Sequence, residues 1–177
     1  MPSTNSELPV VTPIKSFGFL INSLNNSKEC QLLCNNINLA ISEAYLYSPI
    51  IFFQNYGYSV GMPRCCQLQQ HHAWGFPHPL VSTSIETTQT LTECLRPCRK
   101  FFYVYNLEWT KPENLQHSQY SQYSYLSKIY QNPEIELIAK NEEDFRLLTN
   151  IWKKPAGIVR DYNYKEFLDV LFPPKST

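Results

Sequence analysis

Glycine is scarce in this sequence, at five of 177 residues, and none of the five lies in a phosphate-binding pattern. The dinucleotide fingerprint G-x-G-x-x-G and the P-loop G-x-x-x-x-G-K-[ST] both need closely spaced glycines, because the backbone must turn tightly and approach the phosphate. The sequence therefore argues against an NAD-dependent dehydrogenase of the usual type and against a P-loop NTPase. We expect no cofactor.

An excess of charge of one sign and a long hydrophobic run are also missing. Lysine plus arginine number 15 and aspartate plus glutamate number 15, so no net charge draws the chain to nucleic acid. The longest apolar run, 49–53, is far shorter than the roughly 20 residues of a membrane span. The first residues lack the basic and apolar regions of a signal peptide. We expect a cytoplasmic protein, in the host cytoplasm if it is viral, with no membrane and no nucleic-acid partner.

Aromatic residues, by contrast, are plentiful. They make up 14% of the chain, with 12 tyrosines, which excludes a disordered chain. The polar, proline-containing ends 1–14 and 173–177 are predicted to be flexible tails. The segment 15–172 has the length of a single domain. Within it, 110–124 is predicted to be a polar connector.

Short apolar segments alternate with amphipathic ones between the predicted tails. We predict strands at 17–21, 50–53, 80–83, 101–105, 135–139 and 156–159. We predict helices at 30–44, 62–74, 85–94, 125–130, 142–152 and 164–171. Apolar strands that alternate with helices indicate a parallel sheet covered on both faces. The predicted fold class is α/β: one doubly wound, Rossmann-like domain with a mostly parallel sheet of about six strands.

Four pairs, each an Asn or Thr with an acid three residues later, follow predicted strands. They are Asn26 with Glu29, Thr83 with Glu86, Asn141 with Asp144, and Asn163 with Glu166. Such pairs are typical of helix N-termini, where the first side chain accepts a hydrogen bond from an unpaired backbone N–H. We predict that all four are structural caps.

Ligands of open parallel sheets bind at the carboxyl ends of the strands, where the strand order reverses. The predicted ligand-binding residues are therefore polar or aromatic residues at the strand ends: Asn22, Asn55, Ser82, Ser84, Asn106, Trp109 and Asn141. Their amides and hydroxyls suit a sugar or a nucleotide. Glu108 is the predicted catalytic residue, because a carboxylate beside an aromatic ring suits a general base or a ribose-hydroxyl acceptor.

Cysteine and histidine suggest less favoured alternatives. The adjacent pair Cys65–Cys66 precedes the adjacent pair His71–His72, whereas zinc sites favour cysteines two to four residues apart. A zinc site would need Cys94 and Cys98 to complete it. A nucleophile pair of Cys66 with His72 or His78 has no evident carboxylate to orient it. We predict no metal site, and leave open whether Cys65, Cys66, His71 and His72 ever bind a metal.

Four segments together resemble small Rossmann-like proteins of tailed phages of cyanobacteria: LVSTSIE (80–86), KFFYVYNLEW (100–109), IYQNPE (129–134) and LIAKNE (137–142). The match covers roughly residues 50–171. LIAKNE, its helix and Gly157–Val159 are more distantly similar to the N-terminal domain of GT-B type glycosyltransferases. This similarity implies a sugar or nucleotide-sugar ligand. Because such enzymes have two Rossmann-like domains, it also implies a homo-oligomer or a partner.

Two functional hypotheses follow. The first is a glycosyltransferase-like domain that binds a sugar or nucleotide-sugar in the cleft at the carboxyl ends of the strands. The alternative is a non-enzymatic phage accessory or interaction protein, on a degenerate Rossmann-like scaffold, that binds a host or virion protein through its aromatic surface. The scarcity of glycine and the single domain favour this alternative.

Overall fold

A computed structural model describes residues 15–43, 47–57, 63–96, 99–107 and 119–174 of the chain. These residues form seven strands: β1 (Lys15–Leu24), β2 (Tyr47–Tyr56), β3 (Cys66–Gln69), β4 (Leu80–Ser82), β5 (Lys100–Val104), β6 (Ile135–Ala139) and β7 (Gly157–Ile158). They also form five α-helices and a 3₁₀ helix: α1 (Lys28–Glu43), the 3₁₀ helix (Gln70–Gly75), α2 (Ile85–Thr92), α3 (Gln119–Tyr130), α4 (Glu142–Ile151) and α5 (Tyr164–Leu171).

The seven strands belong to one parallel sheet in the order β3-β2-β1-β4-β5-β6-β7. The chain builds outward from β1 to β3, returns to place β4 on the other side of β1, and builds outward again to β7. The order therefore reverses between β1 and β4. The predicted α/β class with a parallel, Rossmann-like sheet is confirmed, with seven strands where about six were predicted.

Helices cover both faces of the sheet, because successive strand residues point to opposite faces. Phe101 and Tyr103 of β5 lie in the core that also contains residues of α1 and α5. Phe102 and Val104 lie in the opposite core, with residues of α2, α3 and α4. All five residues of β5 are buried. Burial on both faces explains why β5 is mostly apolar, and the doubly wound arrangement is confirmed.

The prediction of a helix at 62–74 is wrong. Residues 66–69 form the edge strand β3, which pairs with β2, and residues 70–75 form the 3₁₀ helix. Both ends of β3 are exposed and its middle is only half-buried. An edge strand that covers so little core needs no hydrophobic period, so the pairing with the β2 backbone decides the structure here.

Helix α3 begins at Gln119, so it includes the end of the predicted connector 110–124. The rest of that connector lies outside the described residues, as do the predicted tail 1–14 and residues 175–177. Among the helices of the described ranges, none combines the length and the apolar character that crossing a membrane would require.

Two of the predicted helix caps are confirmed by side-chain hydrogen bonds. Asn141 Oδ1 accepts a hydrogen bond from the backbone N–H of Asp144 at 2.8 Å, at the start of α4. Asn163 Oδ1 accepts from the N–H groups of Lys165 and Glu166 at 3.0 and 3.3 Å, at the start of α5. Each bond satisfies a donor that the first helical turn leaves unpaired.

Gly18 lies in β1 where the backbone packs closely against neighbouring side chains. A Cβ there would lie 2.6 Å from Leu80 Cδ2 and 2.7 Å from Phe52 Cε2. We expect Gly18→Ala to lower the free energy of unfolding by about 1–3 kcal/mol, the cost of overpacking a core, as measured by urea denaturation. Gly75→Ala is the control, because a Cβ at Gly75 meets no atom within 4 Å. Equal losses in the two variants would contradict the packing argument.

Candidate ligand-binding cleft

A cleft opens at the carboxyl edge of the sheet between β1 and β4. There α1 packs on one face and α2 on the other, so the two connections diverge. Strand β1 pairs with β4 only as far as Leu20↔Ser82, but continues beside β2 to Leu24. The last residues of β1 therefore form a wall of the cleft, whose volume is about 260 Å³. Open parallel sheets bind ligands at this position.

The cleft is lined mainly by neutral polar groups. Its lining includes the amides and hydroxyls of Asn22, Ser23, Asn25, Ser27, Thr83, Ser84 and Asn106. One carboxylate, that of Glu29, also lies in the lining. Amides and hydroxyls both donate and accept hydrogen bonds. The cleft can therefore match a ligand that carries several hydroxyl groups.

Asn22 connects the two sides of the cleft. Its Nδ2 donates to Ser84 Oγ at 3.1 Å and to Glu86 Oε2 at 3.3 Å. These bonds join the end of β1 to the start of α2 across the reversal of strand order. They hold the Asn22 side chain in place on the cleft wall.

The start of α2 is capped by Ser84 and Thr87. Ser84 Oγ accepts from the N–H of Thr87 at 3.2 Å, and Thr87 Oγ1 accepts from the N–H of Ser84 at 3.0 Å. The predicted pair of Thr83 with Glu86 is wrong by one residue, because the Thr87 hydroxyl supplies the reciprocal acceptor. The Glu86 carboxylate instead contacts the Asn22 amide.

The start of α1 is capped by Ser27, and not by Asn26 as predicted. Ser27 Oγ accepts from the N–H of Cys30 at 3.2 Å. Asn25 Oδ1 accepts from the N–H of Ser27 at 2.8 Å and so orders the turn before the helix. The Glu29 carboxylate stands in the first turn, where the helix dipole favours a negative charge.

Two tyrosines form an aromatic part of the lining. The Tyr105 and Tyr162 ring centroids lie 5.1 Å apart, and Tyr162 also packs edge-on against Tyr103. Burial raises the pKa of the Tyr103 and Tyr162 phenols. Tyr103 accordingly stays protonated and donates to the Val159 carbonyl at 2.7 Å.

The turn before α5 holds Tyr162 in a strained backbone conformation. Asp161 and Tyr162 have φ angles of 43° and 62°, in the left-handed region that non-glycine residues seldom adopt. Asp161 Oδ1 accepts from the Tyr105 hydroxyl at 3.3 Å and lies 3.8 Å from Lys140 Nζ. The Lys140 ammonium lies 3.9 Å from the centroid of the Tyr105 ring. These contacts fix the turn against the aromatic lining.

The structure brings three of the predicted ligand-binding residues together. Asn22 lies near the end of β1, Ser84 and Asn106 follow β4 and β5 by two residues, and all three line the same cleft. Glu108 and Trp109 lie outside the described residues. Their predicted roles stay predictions.

Three other predicted residues lie away from the lining. The Ser82 side chain is fully buried, where its hydroxyl donates to the Phe101 carbonyl at 3.0 Å and lies 2.7 Å from Thr88 Oγ1. Asn55 is exposed within β2, since that strand runs on to Tyr56. Asn141 caps α4, which follows β6, two strands away from β4.

The prediction missed residues on both sides of the cleft. Asn25 and Ser27 belong to it because β1 ends at Leu24, later than the apolar run 17–21 indicates. The polar run 25–27 was the available signal. Tyr105 and Tyr162 were missed because an aromatic residue just after a strand or in a turn resembles a core residue.

Cys30 also lines the cleft, although it lies on the apolar side of α1 and is 7% exposed. A hydrogen bond from the Cys34 thiol, one turn further along α1, lowers the pKa of the Cys30 thiol, and burial opposes this effect. Cys30 therefore has more thiolate character than an isolated cysteine.

The segment Cys65–His72 shows no metal-binding arrangement. Among the residues that the structure describes, no group of three or more His, Cys, Asp or Glu side chains is placed to hold a metal ion. Burial raises the pKa of the Cys65 thiol to about 12. Cys98, which the zinc hypothesis required, lies outside the described ranges.

The fold and the cleft are the features on which a functional proposal for this chain can rest. No family model, no curated protein and no solved structure matches the chain. The resemblances to cyanophage proteins and to GT-B glycosyltransferases therefore stay predictions.

Replacing Cys34 tests the origin of the Cys30 thiolate. We expect Cys34→Ala to move the alkylation of Cys30 by iodoacetamide to higher pH, because the thiolate loses its hydrogen-bond donor. Peptide mapping by mass spectrometry across a pH series measures the midpoint for Cys30 alone. Cys34→Ser is the matched control, since the serine hydroxyl can still donate. An unchanged midpoint in Cys34→Ala would show that Cys34 does not stabilise the thiolate.

Proposed function

We propose that the protein is a glycosyltransferase-like domain that binds a sugar or a nucleotide-sugar in the cleft between β1 and β4. The observation that supports this proposal is the position of an amide- and hydroxyl-lined cleft at the reversal of strand order. Sugars present many hydroxyl groups, each of which donates and accepts a hydrogen bond. The neutral lining offers both kinds of partner.

Asn22 is the residue through which we expect the cleft to recognise its ligand. Both hydrogens of its amide are directed to Ser84 Oγ and Glu86 Oε2. This leaves Oδ1 as the group of Asn22 that offers an acceptor to a ligand hydroxyl. Because the side chain is held from two directions, its amide is ordered before the ligand arrives, which lowers the entropic cost of binding.

Glu108 is the candidate general base within this proposal, because it follows the cleft residue Asn106 by two positions in the chain. In a glycosyl transfer the base takes the proton of the attacking hydroxyl while the bond between the sugar and its leaving group breaks. Glu29 is the carboxylate that the structure places in the lining itself.

A titration of the ¹⁵N-labelled protein with nucleotide-sugars and with the corresponding free sugars tests the proposal. We expect at least one of them to shift the amide resonances of residues 22–30 and 83–87. We expect Asn22→Ala to raise the dissociation constant of that ligand about fivefold, because one hydrogen bond contributes about 1 kcal/mol.

Asn55→Ala is the matched control for Asn22→Ala, because Asn55 is exposed at the neighbouring strand end but does not line the cleft. The Asn55→Ala variant should bind the ligand with the same affinity as the unmodified protein. Absence of binding across the whole panel would contradict the proposed function. If both substitutions weaken ligand binding equally, the ligand binds outside the cleft.

A second candidate is a contact surface for a host or virion protein on the face of the sheet that α2 and α3 cover. Large apolar side chains are exposed on this face: Trp74 on the 3₁₀ helix, Leu95 just after α2, and Tyr123 and Tyr125 on α3. The exposed fraction of Leu95 is 87%. Exposed apolar residues that share one face suit a protein partner.

Charge placed on this face tests the second candidate. We expect Leu95→Asp to lose a protein partner that the immobilised chain captures from infected-cell extract, because the partner would have to bury the carboxylate. Leu39→Asp is the control, since Leu39 is also exposed but lies on α1, on the opposite face. If both variants still capture the partner, or if neither does, this surface is not the binding site of the partner.

A further inference from the structure

We infer that the cleft favours unphosphorylated sugars over phosphorylated ones, because side-chain caps and carboxylates occupy both helix N-termini where a phosphate would bind. This inference rests on the proposed function and narrows it. Of the two ligand classes in that proposal, it selects the uncharged saccharide over the nucleotide-sugar.

A phosphate at this position of a Rossmann-like fold binds to the N-terminus of the helix that follows a strand. It uses unpaired N–H groups and the positive end of the helix dipole, and glycines let the backbone approach it. The segment 25–27, which joins β1 to α1, contains no glycine, and neither do the last three residues of β1. The close backbone approach is therefore restricted at the first of the two helices.

Two N–H groups at the start of α1 already have acceptors within the protein. Ser27 Oγ accepts from the N–H of Cys30, and Asn25 Oδ1 accepts from the N–H of Ser27. A phosphate that used these two donors would have to displace both side chains. The displaced oxygens would then need new hydrogen-bond partners, so the exchange would contribute little free energy to phosphate binding.

Three N–H groups around the start of α2 also have acceptors within the protein. Thr87 Oγ1 accepts from the N–H groups of Thr83 and Ser84 at 3.2 and 3.0 Å. Ser84 Oγ accepts from the N–H of Thr87 at 3.2 Å. Three N–H groups around the start of α2 are therefore already paired with side-chain oxygens.

Carboxylates add repulsion at both helix starts. Glu29 stands in the first turn of α1 and lines the cleft. Glu86 stands in the first turn of α2, with its carboxylate 3.3 Å from the Asn22 amide nitrogen. Both carboxylates are stabilised by the helix dipoles that a phosphate would otherwise use. A bound phosphate would carry about two negative charges at pH 7 into this environment.

No described lining residue is a lysine, arginine or histidine that could offset this repulsion. Lys140 contacts the lining through the Tyr105 ring, but its ammonium lies 3.8 Å from the Asp161 carboxylate. An uncharged sugar meets none of these penalties, because its hydroxyls bond to amides and hydroxyls without desolvating a charge.

The test compares pairs of ligands that differ only in a phosphate group. The full chain is titrated at low ionic strength with glucose, galactose, mannose and N-acetylglucosamine, and with the 1-phosphate of each, and amide shifts give each dissociation constant. For any free sugar that binds, we expect a dissociation constant at least about fivefold lower than that of its 1-phosphate. This difference is consistent with repulsion between partly exposed charges. We expect the ratio to fall as salt is added, because salt screens the repulsion.

The double variant Glu29→Gln with Glu86→Gln tests the cause of this preference. We expect it to reduce the ratio of the two dissociation constants about twofold to fivefold, the usual size of an exposed charge interaction. Glu143→Gln is the matched control: it removes a carboxylate from the first turn of α4, outside the cleft lining, and should leave the ratio unchanged.

The outcomes separate this inference from the proposed function. If a phosphorylated sugar binds the cleft as tightly as its free sugar or more tightly, the inference is wrong and the proposed function stands. If the double variant leaves the ratio unchanged, the carboxylates do not cause the preference and the inference is overturned. If no sugar and no sugar phosphate binds, both the inference and the proposed function fail.

Discussion

The parallel pairing of β1 with β4 is the contact on which both the core and the cleft depend. It spans three residue pairs, from Gly18↔Leu80 to Leu20↔Ser82, and it joins the two halves of the sheet. Its short length matters as much as its existence. Because β4 ends at Ser82 while β1 continues to Leu24, the end of β1 has β2 as its neighbour on one side and the cleft on the other.

The fold could be predicted from the sequence wherever the strands are buried on both faces. Such strands contain little but apolar residues, and the prediction of 101–105 for β5 differs from the structure by one residue at each end. The difference at the N-terminal end arises because Lys100 is buried within β5 and pairs with Glu134 at 3.0 Å. The edge strand β3 could not be predicted, since its stability comes from backbone bonds to β2, which leave no hydrophobic pattern.

The candidate site could be predicted only where a polar residue near the end of a strand also lies close to the reversal of strand order. Asn22, near the end of β1, meets both conditions, as do Ser84 and Asn106, which follow β4 and β5 by two residues. Asn141, which follows β6, meets only the first condition. Ser82 and Asn55 failed for a different reason. Whether a polar residue at a strand end points into the core or to solvent depends on where its own strand and its neighbours end, and local sequence does not encode those lengths.

The lengths of the strands also differ between the middle and the edges of the sheet. The adjacent strands β1 and β2 have ten residues each, whereas the outermost strands β3 and β7 have four and two. An exposed edge is a template on which another chain can add a strand, and short edge strands limit this pairing. Another copy of this sheet would find only four residues of β3 and two of β7 to pair with at the edges, so these short strands limit edge-to-edge aggregation.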